Sequence, residues 1–226
     1  MDLAEFEKWN ERMSKIYDPD SFITKTAFPI RWVEKKRLAK TLAAVACDSS
    51  SRILDLGCGP GNLTTSLTGN LVVGVDLSEA MLQQARARLA SNSAITIVKG
   101  NAESIPFPDG HFNRIVCSEV LEHVQRPEVV FREIRRVAQS GARIVLTLPN
   151  EQLINRTKKL VRAFGLMRWM AGGYKMSRDM LDRWHLSEIR PDWILNLCAE
   201  EFELIAHHRI PFPFLAYHNI FVFIAK

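Results

Sequence analysis

The spacing of apolar residues changes character near residue 50 of the chain. Before that point, apolar side chains recur at helical spacing. The two stripes contain Phe6, Trp9 and Met13, and then Trp32, Leu38, Leu42 and Val45. Between them, Asp-Pro-Asp at residues 18–20 breaks the pattern, because proline does not continue a helix. Residues 1–45 are therefore expected to form an N-terminal helical cap.

From residue 52 onward, short apolar runs alternate with amphipathic stretches. The runs predict strands at Arg52–Leu56, Leu71–Asp76, Ile95–Lys99, 114–118 and 143–148, with helices between them at 78–90 and Pro127–Val137. Ser78 is the expected N-cap of the first of these helices. The last part of the chain predicts a helix at about 191–199 and strands at 202–208 and 219–224. This alternation is typical of an α/β protein with a mostly parallel sheet and helices on both faces.

Composition changes this picture little. Of 226 residues, 47% are apolar and 24% are charged, which suits one α/β domain with a full core. The first ten residues do not resemble a signal peptide, and no apolar run approaches the roughly eighteen residues of a membrane span. Four cysteines lie far apart without a CxxC pair, which argues against disulfides or zinc and favours a cytoplasmic protein. The net charge of +5 permits an anionic partner without naming one.

The first chemical motif is ILDLGCGPG at residues 53–61, in which a buried strand enters a loop with three glycines and a helix is expected to follow. Glycine permits a tight turn and the close approach of a ligand. The GxGxG spacing differs from the GxGxxG of dinucleotide-binding loops. Asp55 would repel a diphosphate but would accept a ligand ammonium group, so the ligand should be cationic at that end. The alternative is a tight turn without any ligand.

The second motif is VVGVDLS at residues 72–78, which ends a strand with Asp76. An acidic residue about twenty positions after a glycine loop is where a carboxylate accepts hydrogen bonds from a ribose diol. An aspartate that merely caps the following helix is the alternative.

Two further segments, GNAESIPFPDGHFNRIVCSEVLEHV at 100–124 and ARIVLTLPN at 142–150, complete a pattern over about residues 52–150. This pattern resembles the class I S-adenosylmethionine (SAM)-dependent methyltransferases, in particular the small-molecule group typified by ubiquinone and menaquinone methyltransferases. The resemblance implies a Rossmann-like fold with a seven-stranded, mostly parallel sheet, and SAM as the cofactor.

The resemblance also implies a cofactor site. It would contain Asp55, Gly57, Cys58 and Gly59 at the methionine part, Asp76 at the ribose, Leu77 and Met81 at the adenine, Asn101, Ala102 and Glu103 at the adenine edge, and Ser118 near the sulfonium. The family usually has aspartate at the position of Asn101. Because an amide oxygen still accepts a hydrogen bond from the adenine amine, this departure predicts weaker binding rather than its loss.

Two histidines are candidates for a general base. The cofactor supplies an electrophilic methyl group, so the enzyme must mainly align the acceptor, and only a hydroxyl acceptor needs a base. His123 follows the fourth predicted strand, and His185 precedes the C-terminal helix. His123 has an alternative role in orienting its neighbours or touching the cofactor, and Glu119 is either structural or substrate-positioning. The histidines at 207, 208 and 218 are not expected to be catalytic, and no spacing predicts a metal site.

A basic segment follows the fifth predicted strand. Between Asn155 and Arg178 there are seven basic residues and no acidic one, and residues 160, 164 and 167 share an apolar face. This predicts a cationic amphipathic helix within an insertion at 151–183 that covers the acceptor site. A solvated helix packed on the core, a lid over an anionic or apolar substrate, and contact with an anionic membrane remain open. Tyr17 and Arg31 are expected to close the site from the N-terminal side.

The predicted function is methyl transfer from SAM to an O or N atom of a lipophilic or anionic small molecule, by a monomer or homodimer with a SAM-binding domain at 46–226. An RNA methyltransferase is one alternative, although Ser-Glu-Val-Leu stands where base methyltransferases have Asn or Asp followed by Pro-Pro and an aromatic. A SAM-binding protein without catalysis is another. The loop spacing and the charge of Asp55 disfavour an NAD-dependent dehydrogenase.

Overall fold

The computed structural model describes residues 1–174 and 184–226. Within these residues the helices are α1 (Leu3–Ile16), α2 (Pro19–Lys25), α3 (Phe28–Val45), α4 (Glu79–Leu89), α5 (Pro127–Val137), α6 (Glu151–Ala163), α7 (Met167–Ala171) and α8 (Pro191–Cys198). The strands are β1 (Arg52–Leu56), β2 (Leu71–Asp76), β3 (Ile95–Lys99), β4 (Phe112–Ser118), β5 (Ala138–Pro149), β6 (Phe202–Phe212) and β7 (Leu215–Ala225).

The strands form one sheet in the order β3-β2-β1-β4-β5-β7-β6. The first five strands in this order run parallel, and β7 runs antiparallel to both β5 and β6. The predicted seven-stranded, mostly parallel sheet is therefore confirmed. Because β7 is antiparallel, its first residues lie at the same sheet edge as the carboxyl ends of β1, β2, β4 and β5, which is where α/β proteins bind ligands.

Side chains that alternate along the strands build one apolar core on each face of the sheet. Leu54 and Leu56 pack in a cluster that includes Ile134 of α5 and Ile194 of α8. Ile53, which precedes Leu54, belongs to the opposite cluster, which contains Val45 of α3. This two-sided burial explains why β1 is an almost continuous apolar run rather than an alternating one.

Several predicted elements begin and end where expected. The bounds of β1, β2, β3 and α5 are confirmed, and Ser78 caps α4 by accepting a hydrogen bond from the backbone of Met81 at 3.3 Å. β4 and β5 start earlier than predicted, and their pairing contains an irregularity between Phe112 and Arg114.

The helix expected after the glycine loop was a wrong prediction. Only a 3₁₀ turn, Thr64–Ser66, lies between the loop and β2. Residues 62–70 include three threonines, a serine, a glycine and two asparagines, which are weak helix formers. The crossover is also too short to present a long apolar stripe to the sheet.

The N-terminal residues fold as three helices attached to the sheet domain. Phe6 and Met13 of α1 are buried as their stripe predicts. Ser14 of α1 contacts Ser78 at 2.8 Å between hydroxyl oxygens, so α1 sits against the start of α4. The predicted break at residues 18–20 ends α1, but Pro19 then begins α2, a first-turn position that proline tolerates.

The basic insertion forms two helices instead of the single predicted one. α6 ends before Gly165, whose φ of +69° is incompatible with a continuous helix, and α7 follows. No residue of either helix is buried, and Leu160, Phe164 and Trp169 are 62%, 76% and 61% exposed. An apolar stripe packed on the core is therefore not observed, and Lys175 and Arg178 lie outside the described residues. No helix among the described residues has the length and apolarity needed to cross a membrane.

Candidate active site

The glycine loop is fixed to β2 and leaves an open cradle. Gly57 and Cys58 donate backbone hydrogen bonds to the carbonyl of Val75 at 2.7 and 3.0 Å. A Cβ at Gly57, where φ is +72°, would lie 2.3 Å from Val120. A Cβ at Gly59, where φ is +53°, would meet nothing within 4 Å. The loop therefore has a closed side against Val120 and an open side at Gly59 that a ligand can approach.

Two carboxylates flank this cradle. Asp55 is 2% exposed and accepts a hydrogen bond from Thr64 at 2.6 Å. Asp76 accepts backbone hydrogen bonds from Gly59 and Ser78, both at 2.8 Å. Burial, assisted by the neighbouring Asp76, raises the pKa of Asp55 to about 7, and burial also raises the pKa of Asp76. A cationic ligand beside this pair would stabilise both ionised carboxylates, so the donor set fits an ammonium-bearing, ribose-containing cofactor.

The residues expected at the adenine lie in two places, at the start of α4 and in the turn after β3. Met81 is buried at the first turn of α4, and Leu77 is half-buried beside Asp76. The Asn101 side-chain oxygen accepts a hydrogen bond from the backbone of Glu103 at 2.9 Å, forming a local turn that includes Ala102. The Glu103 carboxylate accepts backbone hydrogen bonds from residues 125 and 126 and pairs with the Arg126 side chain at 2.8 Å. Glu103 thus ties this turn to the loop before α5.

Glu119 lies at the carboxyl end of β4 in a strained conformation. Its φ of +56° is rare for a residue other than glycine. Thr147 and His218 hold its two carboxylate oxygens at 2.7 and 3.1 Å. Strain of this kind persists only where the surrounding contacts fix it, and it is concentrated at functional sites.

A buried ionic network joins α3 to this edge. His218 of β7 lies between Glu34 and Glu119, with nitrogen–oxygen distances of 3.1 Å on both sides. Arg37 pairs with Glu34 at 2.9 Å and donates to the Ser118 hydroxyl at 2.8 Å. The Ser118 hydroxyl also contacts Thr147 at 3.0 Å, so Ser118 is fixed at the end of β4.

The network sets the charge states of its members. Burial alone would lower the pKa of His218, but Glu119 and Glu34 raise it to about 9. Burial would raise the pKa values of Glu34 and Glu119, but the adjacent cations Arg37 and His218 hold both below their usual range. At neutral pH two carboxylates therefore face one guanidinium and one imidazolium.

Sequence reasoning missed this network. Glu34, Arg37 and Thr41 are buried at helical spacing on the inward face of α3, where an apolar stripe was expected. A polar stripe at i, i+3 and i+7 was the available signal. His218 was not expected to be catalytic because its context is strand-like or loop, but its register opposite Pro149 brings it to the edge formed by the carboxyl ends of the parallel strands.

The two predicted bases meet although they are distant in sequence. The His123 and His185 ring centres are 4.9 Å apart, and His123 packs on Trp184 at 4.5 Å. His123 Nδ1 donates to the Trp184 carbonyl at 3.2 Å, and His185 Nδ1 lies 3.0 Å from a Glu151 oxygen. The Tyr17 ring stacks on the Trp184 ring with their centres 6.3 Å apart, so the C-terminal end of α1 lies beside these residues.

Two side-chain polar atoms are buried without a hydrogen-bond partner in the described part of the chain: Glu122 Oε2, beside His123, and Arg31 Nε on α3. Glu122 is 1% exposed, and burial, followed by the nearby Glu119, raises its pKa to about 8. Arg31 donates another of its nitrogens to the carbonyl of Thr24 at 3.4 Å.

Comparison with known proteins gives consistent matches. Residues 54–146 match the family model described as a methyltransferase domain. A 2-phytyl-1,4-naphtoquinone methyltransferase of Synechococcus elongatus is 30% identical over 90% of this chain and 80% of its own length. A demethylmenaquinone methyltransferase of Clavibacter sepedonicus is 29% identical over 92% of this chain and 86% of its own length. The crystal structure of N-methyltransferase NodS from Bradyrhizobium japonicum with S-adenosylhomocysteine superposes with a TM-score of 0.69 at 14% identity, over 98% of each chain.

Proposed function

The chain belongs to the class I SAM-dependent methyltransferases, in the group that contains the quinone methyltransferases, and we propose that its acceptor is a lipophilic molecule methylated on a hydroxyl oxygen. SAM is its cofactor, and its acceptor is a small molecule. The observation that carries the hydroxyl assignment is the group of Glu122, His123 and His185 at the carboxyl end of β4. A neutral amine needs no proton removed before attack, whereas a hydroxyl does.

The cofactor residues take distinct roles in this proposal. Asp55 accepts the ammonium group, the backbone at Gly57, Cys58 and Gly59 lines the methionine part, and Asp76 accepts the ribose hydroxyls. Leu77 and Met81 pack on the adenine, Asn101 and Ala102 border its edge, and Glu103 holds that edge in place. Ser118, fixed by Arg37 and Thr147, faces the sulfonium. SAM supplies a methyl group made electrophilic by the sulfonium.

The remaining residues align and deprotonate the acceptor. His123 or His185 takes the hydroxyl proton, and the hydrogen bonds at Nδ1 orient each ring for this purpose. Glu119 and its network position the acceptor at the end of β4. Tyr17 and Arg31 close the site, since α1 reaches Trp184 and Arg31 has a buried nitrogen without a partner among the described residues. Alignment at near-attack distance supplies most of the rate increase.

Calorimetry with SAM and S-adenosylhomocysteine tests the cofactor site. We expect micromolar binding by the native chain and its loss in Asp76→Ala, while Asp109→Ala, at an 80% exposed side chain, binds normally. Labelled SAM is then supplied with matched lipophilic phenols and amines, and the methylated atom is identified by mass spectrometry and NMR. Methylation of the amines or of ring carbon alone would refute the hydroxyl assignment. Failure of the folded native chain to bind SAM would refute the site.

We also propose that this is a cytoplasmic enzyme that acts at a membrane surface, as a monomer or homodimer. All four cysteines are free, and three of them are buried, which suits a reducing compartment. α6, α7 and the turn between them expose Leu160, Phe164 and Trp169 among basic residues. Exposed apolar side chains beside lysine and arginine favour the interface of an anionic bilayer, where a lipophilic acceptor would reside.

A further inference from the structure

We propose that a basic groove between α3 and β6 binds a small phosphate monoester whose organic group is apolar or aromatic. The groove has a volume of about 740 Å³, which lies within the roughly 300–1,000 Å³ of small-molecule sites. Lys36, Lys40, Arg209 and two histidines line it, and within the described residues no aspartate or glutamate does. This excess of positive charge favours an anionic ligand.

The spacing of residues on α3 builds one wall of the groove. Two lysines and two alanines recur at i, i+3, i+4 and i+7 and therefore share one exposed face of the helix: Lys36, Ala39, Lys40 and Ala43. The alanines leave room beside the helix, and the lysines lie one turn apart, so both ammonium groups can reach the same ligand. Glu34 and Arg37 lie on a different, buried face of α3, which separates the groove from the proposed acceptor site.

Residues of β6 build the opposite wall. His208 is half-buried there, and burial, followed by the neighbouring Lys40, lowers its pKa. Ile210 and Pro211 are buried in the same wall, and the proline nitrogen carries no hydrogen. The groove therefore combines cations with an apolar surface, which suits a ligand that has one charged part and one apolar part.

Protein carboxylates do not neutralise the cations of the groove. In the part of the chain that the structure describes, no aspartate or glutamate forms an ion pair with Lys36, Lys40 or Arg209. Like charges that lie close together repel, and the effect of Lys40 on the pKa of His208 is one expression of this repulsion. A dianion between Lys36 and Lys40 would remove it.

Two aromatic rings hold Lys36 at one end of the groove. Its Nζ lies 5.1 Å from the centre of the Trp32 ring and 4.8 Å from that of the Phe212 ring, both within the range of a cation–π contact. The Phe214 ring stacks on Phe212 with the ring centres 5.5 Å apart and is 86% exposed. This aromatic rim offers a contact surface for the organic part of a ligand whose anionic part meets Lys36.

The set of donors fits a phosphate monoester better than a carboxylate. Near neutral pH a phosphate monoester carries a charge of about −1.5 to −2 and presents three strong acceptor oxygens. Lys36 and Lys40 together match this charge, and the His208 ring can donate a third hydrogen bond. A carboxylate has one charge and two oxygens. The apolar wall and the aromatic rim would then contact the group esterified to the phosphate.

Calorimetry of the full-length protein with phenyl phosphate tests the groove. The expected result is one phenyl phosphate per chain, bound more tightly than benzoate or inorganic phosphate. S-adenosylhomocysteine should not displace it, because the groove lies outside the proposed cofactor cradle. Binding of this kind does not depend on methyl transfer, so the proposal and the proposed function fail separately.

Three variants at exposed positions of α3 locate the ligand. Lys40→Gln should weaken phenyl phosphate binding by about tenfold or more, since a hydrogen bond between charged groups is lost. Ala39→Glu places a carboxylate in the groove and should abolish binding. Lys35→Gln is the matched control, because Lys35 lies on the same helix but does not line the groove, and it should bind as the native protein does. Circular dichroism checks that each variant is folded.

NMR of the histidine rings gives a second readout. A bound dianion favours the imidazolium form, so phenyl phosphate should raise the pKa of His208 in the native protein. The same addition should leave the pKa of His208 unchanged in Ala39→Glu. The pKa of His111, which lies next to β4 and does not line the groove, should not respond in either protein.

Each other outcome overturns the proposal. Absence of phenyl phosphate binding, or equal binding by the native protein, Lys40→Gln and Ala39→Glu, would exclude the groove as the site. Inorganic phosphate that binds as tightly as phenyl phosphate would refute the assignment of an ester. If phenyl phosphate does not bind, but phosphatidylglycerol vesicles bind in a way that requires Lys40, the groove contacts a lipid surface instead.

Discussion

At the residue scale, the proposed role of Asp55 in cofactor binding carries a cost in stability, because a buried carboxylate is destabilised when it is ionised. In the folded protein the pKa of Asp55 is about 7, above the ordinary carboxyl value, so folding favours the protonated side chain. The contribution of this group to the free energy of unfolding is therefore fully present below about pH 4. That contribution is lost as the pH rises to about 7. The free energy of unfolding of the native protein should therefore fall by about 2–3 kcal/mol between pH 5 and pH 8, and that of Asp55→Asn should not. The size follows from the two pH units between pH 5 and the pKa of about 7, at about 1.36 kcal/mol for each unit. Asp55→Asn should also lose SAM binding.

Urea unfolding at pH 5 and pH 8 measures this difference, and calorimetry measures SAM binding. Asp109→Asn serves as the control, because its side chain is largely exposed and far from the loop. Equal pH dependence in Asp55→Asn and the native protein would show that Asp55 is not the buried acid described here. A native-like SAM affinity in Asp55→Asn would show that no ammonium group lies beside it.

Gly59 tests the open side of the glycine loop at the same scale. Gly59 and Gly110 have similar positive φ values of +53° and +60°, and a Cβ at either position meets no atom within 4 Å. Alanine at either position should lower the free energy of unfolding by a similar amount, roughly 1–2 kcal/mol, because both residues have the left-handed conformation. Only Gly59→Ala places a methyl group in the proposed cofactor cradle, so only this variant should weaken SAM binding, by tenfold or more. Equal SAM affinity in the two variants would show that the ligand does not approach Gly59.

The residues of the candidate site differ in how well the sequence predicts them. Asp55, Gly59 and Asp76 belong to motifs that are continuous in the chain, so local spacing alone indicates their chemistry. His218 carries no such signal. Its position depends on the register of an antiparallel strand at the far end of the chain, which the sequence pattern does not specify.

At the element scale, apolar periodicity predicts the sheet well and the helices unevenly. β1, β2 and β3 are recognisable because buried parallel strands are short apolar runs. α3 departs from the rule, since its buried positions include Glu34, Arg37 and Thr41, while the Trp32 ring packs on Phe212 and is 39% exposed. The inward face of α3 meets the polar end of the sheet, and tertiary context there overrides the hydrophobic pattern.

Arg37 should therefore be essential to how α3 attaches. Arg37→Met leaves Glu34 and Glu119 with one fewer cation in a buried setting. Breaking such a pair by removing one partner typically costs about 3–5 kcal/mol. Lys40→Met, at an exposed position of the same helix, should change stability by less than about 0.5 kcal/mol. Chemical denaturation of both variants measures the contrast, and similar small losses would show that the network does not anchor the helix.

At the scale of the whole molecule, two segments distant in sequence contact each other beside the proposed site. The backbone of Ala27, between α2 and α3, donates to Met170 of α7 at 3.0 Å. The Trp184 indole donates to Asn10 of α1 at 3.0 Å. The N-terminal cap and the insertion were predicted as separate additions to the sheet domain, because no pattern in either segment specifies its partner. Their contacts make one wall, and two exposed aromatic residues, Phe164 between α6 and α7 and Trp169 on α7, belong to the same insertion.

That wall should bind anionic membranes. Phe164 and Trp169 are exposed among the basic residues of the insertion, so the protein should sediment with vesicles rich in phosphatidylserine or phosphatidylglycerol but not with phosphatidylcholine vesicles. Phe164→Ser with Trp169→Ser should lower the bound fraction severalfold, and added salt should lower it in the native protein by screening. The control, Leu204→Ser with Ile205→Ser, removes apolar side chains that are 41% and 43% exposed on β6, away from the insertion. If both double variants bind as the native protein does, α6 and α7 do not contact the bilayer, and the lipophilic acceptor must reach the site through the aqueous phase.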